Sequence, residues 1–196
     1  MITNRELTER LQEWIPQELF HQIETTTATI QEKESDGYAE IACTLPTDEA
    51  FELQLEGKSF PTLRRQNCAD GILLLRRPDG EWELHIIECK RTVDKNKWAR
   101  VKKQFLGAIQ RATAILAPVG IHVTKFKLYT AYRDDELENE IMSRMALAKT
   151  LPAGQTRPPY FDWLDGQLTL WVKNDLSHEK IKLNSDGEAQ YLLQCL

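Results

Sequence analysis

Apolar residues in the first part of the chain follow a helical period and then change to the alternating period of strands. Residues 3–24 carry a stripe at helical spacing, and Pro16 marks a break or the start of a second helix. The stripe consists of Leu7, Leu11, Trp14 and Ile15. Residues 25–33 and 38–45 then predict two strands joined by a Ser35-Asp36-Gly37 turn. A third strand follows, in which Phe51, Leu53 and Leu55 alternate with polar residues, so the three strands predict the beginning of a sheet.

The middle of the chain predicts a hairpin followed by a long helix. Residues 71–77 and 81–90 are rich in strand-favouring apolar residues and flank the turn Pro78-Asp79-Gly80. A run of apolar residues then keeps helical spacing until Pro118 and Gly120 end the helix. These residues are Trp98, Val101, Phe105, Ala108, Ile109, Ala112 and Leu116.

The rest of the chain predicts a further strand, a helix and a β-rich tail. Residues 122–132 predict the strand, and Asp134 or Asp135 can cap the helix that follows. That helix carries Leu137, Ile141, Met145 and Ala148. After a proline-containing loop at 151–159, two apparent hairpins turn at Asp165-Gly166 and Ser185-Asp186-Gly187. We therefore predict an α/β core in residues 1–150 and a small β appendage in residues 151–196, packed on the same domain.

Composition restricts the class of protein. The chain has 196 residues, of which 41% are apolar and 28% charged, and this favours one globular domain over a coiled coil or a disordered chain. No apolar run is long enough to span a membrane, and the charged first turns are unlike a signal peptide, so we expect a cytoplasmic protein without membrane contact. The cysteines are scattered, which suits a reducing compartment and gives no spacing typical of a structural zinc site. They are Cys43, Cys68, Cys89 and Cys195.

Positive charge is concentrated in one element of an otherwise acidic chain. The net charge is −5, which argues against binding nucleic acid through bulk charge. Residues 90–111, however, hold eight basic residues against Asp94 alone, and this local charge of +7 leaves −12 for the remainder. Four polar side chains of the predicted helix fall on one narrow stripe, beside the small residues Gly107 and Ala108. They are Lys97, Arg100, Gln104 and Arg111, and we predict that the three basic ones bind the phosphates of a nucleic acid.

The turn of the central hairpin decides which polar side chains meet. A three-residue loop with a type I turn and Gly80 in the left-handed conformation pairs residues 77 and 81, so paired residue numbers sum to 158. Asp70 then lies opposite Glu88, and Lys90 shares their face. A two-residue loop would instead place Asp70 on the opposite face. Two opposed carboxylates repel each other unless a cation lies between them, and oxygen ligands favour Mg²⁺ or Mn²⁺ over zinc. Lys90 could then orient or deprotonate a water beside the metal.

This arrangement resembles the PD-(D/E)XK nuclease superfamily. Its restriction-endonuclease-like core consists of a helix, a mixed β-sheet with acidic residues on a central hairpin, and flanking helices, and the likeness covers residues 7–147. The resemblance implies that Asp70, Glu88 and the backbone carbonyl of Cys89 bind metal and that Lys90 serves catalysis. Gln104 corresponds to a glutamine found on the following helix in some branches. Ala69 stands where the family name has proline.

Other candidates remain beside this motif. Glu56-Gly57-Lys58, with Asp36 upstream, is a second Asp and Glu-x-Lys set, but Gly57 weakens a strand and no helix follows. Some family members place a metal-associated glutamate in the first helix, where this chain offers several and the sequence does not choose among them. They are Glu6, Glu9, Glu13 and Glu18. We expect His85 to pack against the following helix and Cys89 to be a buried small side chain.

The sequence thus predicts a Mg²⁺- or Mn²⁺-dependent nuclease, a phosphodiester hydrolase of the endonuclease type, with DNA as the favoured substrate. The alternative is a nuclease fold that serves as a nucleic-acid-binding or assembly subunit with little or no cleavage, and a third is an ordinary α/β interaction protein. A homodimer or a partner protein in a larger system is compatible with either of the first two. The choice between DNA and RNA, and between endonuclease and exonuclease action, stays open at this point.

Overall fold

The computed structural model describes residues 4–32, 38–64, 66–147, 161–170 and 173–195. The predicted turn at 35–37, Asp36, Ala148 and the predicted boundary loop at 151–159 lie outside these residues.

Along the described residues, an N-terminal helix is followed by six strands, a long helix, a strand, two further helices and three closing strands. The helices are α1 (Asn4–Trp14), α2 (Lys95–Leu116), α3 (Glu136–Leu147) and α4 (Asp162–Asp165). The strands are β1 (Phe20–Ile23), β2 (Thr27–Glu32), β3 (Ala39–Thr44), β4 (Ala50–Leu53), β5 (Gly71–Arg76), β6 (Trp82–Val93), β7 (Lys125–Asp135), β8 (Gln167–Leu170), β9 (Lys173–Lys182) and β10 (Glu188–Leu192).

Two sheets and a layer of helices form the molecule. The main sheet has the strand order β1-β4-β5-β6-β7-β9-β8 and is mixed, because β6, β7 and β9 run parallel while the other pairs are antiparallel. A smaller sheet of order β10-β3-β2 covers one face, where Ile30 and Ile41 pack against Leu73 and Ile87. Helices cover the other face, where Phe105 of α2 packs with Ile72 and Ile86. The predicted α/β class is confirmed.

The central hairpin has the predicted register. Gly71 pairs with Ile87 and Arg76 with Trp82, so the paired numbers sum to 158. Gly80 adopts a φ of +84°, and its N–H donates to the Arg77 carbonyl at 2.9 Å, which closes the three-residue loop. The two-residue alternative is therefore wrong. With this register, the even-numbered side chains of β6, among them Leu84 and Ile86, lie on the face of the sheet that the helices cover.

Helix α2 packs as its sequence predicts, and the structure shows how it begins. Asp94 caps its N-terminus, where the side chain accepts hydrogen bonds from the backbone N–H groups of Asn96 and Lys97. All seven predicted apolar positions are buried. The small residue Gly107 is needed for close packing, because a Cβ there would lie 1.9 Å from the Asn67 carbonyl oxygen. The backbone that approaches this position belongs to the segment leading into Asp70.

Three predictions about the N-terminal part are wrong. Pro16 does break the helix, but residues 17–23 form a 3₁₀ turn and strand β1 instead of a second helix. Trp14 is 66% exposed and lies outside the core, whereas Leu7 and Leu11 are fully buried. The three early strands also do not form one sheet, because β2 and β3 join β10 while β4 inserts between β1 and β5.

The tail is not the predicted appendage. Strands β8 and β9 extend the main sheet, with β9 parallel to β7, and β10 lies parallel to β3 in the smaller sheet. Gly166, in a left-handed conformation, ends α4 and does not turn a hairpin. The turn at 185–187 does form, but it connects β9 of the main sheet to β10 of the smaller sheet and does not join two paired strands. The tail strands therefore complete both sheets.

Candidate active site

The end of the β5–β6 hairpin brings the predicted polar side chains together. Oδ2 of Asp70 accepts a hydrogen bond from the backbone N–H of Cys89 at 2.6 Å. Nζ of Lys90 donates to Oε1 of Glu88 and, at 2.9 Å, to the carbonyl oxygen of Cys89. The ammonium of Lys90 thus contacts two of the groups for which the resemblance implies metal binding.

Burial raises the pKa values of the two carboxyl groups of the site, those of Asp70 and Glu88. Burial, followed by the charge of Glu88, raises the pKa of Asp70 to about 9. Burial also raises the pKa of Glu88 to about 7, although Lys90 opposes the shift. Burial acts to lower the pKa of Lys90, but the charges of Glu88 and Asp70 outweigh it and raise that pKa. Without a metal, Lys90 is therefore an ammonium ion at neutral pH.

Two further glutamates that the sequence did not assign to the site lie beside Asp70. Carboxylate oxygens of Glu32, Glu56 and Asp70 all lie within 4.8 Å of one another, and Glu32 is hydrogen-bonded to Asp70. Glu32 ends β2 in the smaller sheet, and Glu56 follows β4. Gly71 allows this approach, because a Cβ there would lie 2.7 Å from the Ile30 side chain.

The sequence signals for these two glutamates differ. Glu56 belongs to the Glu56-Gly57-Lys58 set, which the sequence combines with Asp36, whereas the structure places Glu56 beside Asp70. Glu32 had no spacing signal, since it reaches the site from a different sheet. The alternation of side chains along a strand predicts the face of the sheet on which each side chain lies, but it does not predict which other strands lie nearby.

Two buried polar atoms at the site have no hydrogen-bond partner in the part of the chain that the structure describes. They are Oε2 of Glu88, whose side chain is fully buried, and Oε1 of Gln104. The amide Nε2 of Gln104 lies 3.5 Å from the carbonyl oxygen of Cys68. Buried acceptors of this kind are costly unless a proton, a water or a cation satisfies them.

A cleft of about 460 Å³ opens from the acidic cluster to the first half of α2. Its walls carry acidic residues at one end and basic residues on the helix at the other. The lining residues are Glu32, Glu56, Asp70, Cys89, Lys90, Arg91, Thr92, Lys97, Arg100, Gln104 and Asp134. Lys97, Arg100 and Gln104 therefore lie where the helical stripe predicted them, and the first two are exposed to solvent.

Arg111 does not belong to this cleft, and its predicted contact with nucleic acid is corrected. The guanidinium is 1% exposed and donates to the carbonyl oxygens of Leu55, Lys58 and Gln66 and to Oε1 of Gln66. It also lies 4.8 Å from the centre of the Phe60 ring. Arg111 shares the direction of Gln104 around the helix, but seven residues of helical rise, about 10 Å, place it beneath the carbonyl groups of Leu55, Lys58 and Gln66.

The remaining candidates lie away from the cleft. None of the four glutamates of the first helical region lines it in the described structure: Glu6, Glu9, Glu13 and Glu18 are all exposed. His85 is buried beneath the smaller sheet and contacts Glu83 and Tyr129, so its predicted packing against α2 is wrong. Cys89 is 1% exposed, as predicted, and burial raises the pKa of its thiol well above the ordinary value. It is not an activated nucleophile.

Comparison with protein-family models, with curated proteins and with solved structures found no match to this chain. Among the described helices, none combines the length and the apolar character needed to cross a bilayer.

Proposed function

We propose that this protein is a metal-dependent nuclease with a restriction-endonuclease-like core, related to the PD-(D/E)XK superfamily, and that DNA is its substrate. The observation that carries the proposal is the meeting of Asp70, Glu88 and Lys90 at one end of the hairpin, on the face that α2 covers. The order of helix, mixed sheet and long helix around this hairpin supports it.

The residues present suit a hard divalent cation. Every candidate side-chain ligand is a carboxylate, which favours Mg²⁺ or Mn²⁺. The buried Oε2 of Glu88 has no described partner, and Asp70 sits among three other carboxyl groups. A cation would satisfy these oxygens and displace the protons that the raised pKa values of Asp70 and Glu88 favour in the metal-free protein. Asp70, Glu88 and the Cys89 carbonyl would hold the cation, with Glu32 and Glu56 beside them.

A bound cation would supply Lewis acidity towards a phosphate oxygen and charge neutralisation. The side chains of the cleft have separate roles. Lys90, held as an ammonium by its carboxylate neighbours, orients the attacking water and stabilises negative charge that develops on the phosphate. Oε1 of Gln104 accepts a hydrogen bond from water, and the exposed cations of Lys97 and Arg100, on the helix wall of the cleft, bind phosphates of the substrate backbone.

A nucleic-acid-binding subunit without cleavage is the alternative function. The basic wall of the cleft would bind phosphates in either function. A surface that only binds nucleic acid gains nothing from carboxylates beside the phosphates, because like charges repel. The acidic end of the cleft therefore favours the enzyme.

Incubation of the purified protein with plasmid, linear duplex, single-stranded DNA and RNA tests the proposal. Each substrate is combined with Mg²⁺, Mn²⁺, Ca²⁺ or EDTA. We expect DNA cleavage with Mg²⁺ or Mn²⁺, little with Ca²⁺ because its looser coordination positions water poorly, and none with EDTA. An Asp70→Asn, Glu88→Gln double variant, purified in parallel, controls for contaminating nucleases.

The products separate the two functions. Nicked or linear plasmid indicates internal cleavage, and degradation of the linear duplex alone indicates cleavage from ends. Metal-dependent binding of DNA without products from any substrate favours the binding subunit. Full activity in EDTA, or in the double variant, overturns the assignment of these residues.

A further inference from the structure

A second cluster of potential metal ligands lies on the opposite face of β6 from the cleft. Glu83 and His85 are two residues apart on that strand, so their side chains share a face, and Cys195 follows β10. One ligand atom from each of the three residues lies within 4.8 Å of the others. The three residues therefore meet although more than 100 positions separate the cysteine from the strand.

The two strand residues of this cluster are rigidly held. Both are fully buried, and Nε2 of His85 lies 2.6 Å from Oε1 of Glu83. Nδ1 of the same imidazole lies 2.9 Å from the Tyr129 hydroxyl, and the two rings stack with an interplanar angle of 11°. The other carboxylate oxygen, Oε2, faces Nε of Arg77 at 3.8 Å.

We propose that Glu83, His85 and Cys195 form a zinc site, in which Oε1 of Glu83, Nε2 of His85 and the thiolate of Cys195 are the ligands. This inference does not depend on the proposed nuclease function. The ligand set joins sulfur, nitrogen and oxygen, which suits Zn²⁺, whereas the all-carboxylate cleft suits Mg²⁺. Three protein ligands leave one position for water.

A bound cation would take the place of the direct contact between Nε2 of His85 and Oε1 of Glu83, and the surroundings support this arrangement. Metal-binding histidines usually donate their second N–H to a neighbouring acceptor, and the Tyr129 hydroxyl is placed to accept it from Nδ1, which leaves Nε2 as the ligand. Cys195 is partly exposed, so a cation can enter from its side. On binding, the thiol releases its proton to water, and the +2 charge is balanced by one thiolate and one carboxylate.

A reactive cysteine is a poorer explanation of the same cluster. Burial and the neighbouring Glu83 raise the pKa of Cys195 to about 11, so the thiol is not a nucleophile at neutral pH. Within the described residues no second cysteine belongs to the cluster. A bound zinc ion would tie the C-terminal segment to the centre of the main sheet.

Co²⁺ titration of the full chain, after treatment with EDTA and a reductant, tests the proposal. A thiolate ligand gives Co²⁺ a sulfur-to-metal charge-transfer absorption that carboxylate sites lack. We expect this band in the wild type, its displacement by Zn²⁺, and a rise in Tm with Zn²⁺. Cys195→Ser should remove the band and weaken Zn²⁺ affinity at least tenfold.

Matched variants locate the site. Cys195→Ser changes a partly exposed side chain and leaves the buried Glu83–His85 pair intact, so we expect it to fold. Cys43→Ala and Cys68→Ala each remove a buried thiol that lies outside the cluster, and both variants should keep the band. Asp70→Asn should also keep it, which distinguishes this site from the cleft. Absence of the band in the wild type, or a loss of Zn²⁺ affinity below tenfold in Cys195→Ser, overturns the proposal.

Discussion

Oδ2 of Asp70 and the backbone nitrogen of Cys89 are 2.6 Å apart, just beyond Gly71 and Ile87, the last pair of the β5–β6 ladder. This hydrogen bond continues the hairpin contacts into the cleft and fixes Asp70 beside Glu88. The same carboxyl group belongs to the cluster with Glu32 and Glu56, so this hydrogen bond also positions Asp70 within that cluster. The turn around Gly80 sets the register of β5 and β6, and this register places the carboxyl groups of Asp70 and Glu88 beside each other at the other end of the hairpin.

Asp70→Asn, Glu88→Gln and Lys90→Ala should each reduce DNA cleavage by about 100-fold or more, since each removes a charged group from the proposed reaction centre. The fold should survive, because Asn keeps an acceptor for the Cys89 N–H. Relief of repulsion between buried carboxylates should leave the Tm of the metal-free protein unchanged or raised for the two acidic positions. Plasmid cleavage and thermal unfolding measure both effects.

Glu13→Gln is the matched control for these variants, because it changes an exposed acid of α1 outside the cleft. It should cleave at the wild-type rate. A folded variant carrying all three site substitutions that retained wild-type cleavage would contradict the proposed centre.

The exposed cations of α2 should contribute unequally to DNA binding. Lys97→Ala with Arg100→Ala removes two cations of the cleft wall and should weaken binding and lower the salt slope by about 0.9 for each phosphate that is no longer neutralised. Lys95→Ala with Lys103→Ala removes the same charge from outside the cleft and should do less. Fluorescence anisotropy at several salt concentrations measures both pairs. Equal reductions of affinity and slope would mean that the helix contributes only diffuse charge.

Arg111 should matter for stability and not for DNA. Arg111→Met leaves the carbonyl groups of Leu55, Lys58 and Gln66 without their donor, so we expect the free energy of unfolding to fall by about 3 kcal/mol. Urea unfolding measures this, and anisotropy should show an unchanged salt slope for the folded variant. An unchanged stability with a reduced slope would instead restore Arg111 to the DNA-binding surface.

The local parts of the fold could be predicted because neighbouring residues determine them. A three-residue turn sets the register of β5 and β6, and a 3.6-residue period sets the buried face of α2. The convergence of Asp70, Glu88 and Lys90 follows from the register alone. These features require no knowledge of what packs against the hairpin.

The partners of strands could not be predicted in the same way. Strand β9 has a polar sequence typical of an edge, yet it lies between β7 and β8. Ion pairs with neighbouring elements accommodate its charges: Lys180 contacts Glu138 at 2.9 Å, and Glu179 contacts Lys127 at 3.2 Å. The cleft residue Glu32 was missed for the same reason, because it depends on where the smaller sheet lies on the main one.

Gly107→Ala separates helix propensity from packing. Propensity alone predicts that alanine in the middle of a helix stabilises by up to about 1 kcal/mol. The new Cβ would instead lie 1.9 Å from the Asn67 carbonyl oxygen, a backbone atom, so we expect destabilisation by about 1–3 kcal/mol. Displacement of the segment before Asp70 should also reduce cleavage. Urea unfolding and plasmid cleavage check the two effects, and a stabilised, fully active variant would show that the 66–69 segment can move freely.

His178 should make stability depend on acid pH. The imidazole is packed among Trp98, Trp163 and Phe105, and its Nε2 lies 2.9 Å from the Thr130 hydroxyl. Burial, with a smaller effect of the Lys180 charge, lowers its pKa from 6.5 to about 3. Between these two values the unfolded chain takes up a proton that the folded chain does not. The free energy of unfolding therefore falls as the pH falls from 6.5 towards 3, by about 1.4 kcal/mol per pH unit from this group.

His178→Gln keeps a hydrogen-bonding partner for Thr130 but has no titrating group, so it should be less sensitive to acid than the wild type by that slope. Urea unfolding at pH values from 7 down to 4.5 measures the free energy of unfolding of both proteins. The difference between the two proteins removes the contribution of the carboxyl groups, because both proteins contain the same ones. His122→Gln, at an exposed position, is the matched control and should keep the wild-type pH dependence. An identical pH dependence in all three proteins would mean that His178 takes up its proton in the folded state as readily as in the unfolded chain, and that its aromatic surroundings open to water.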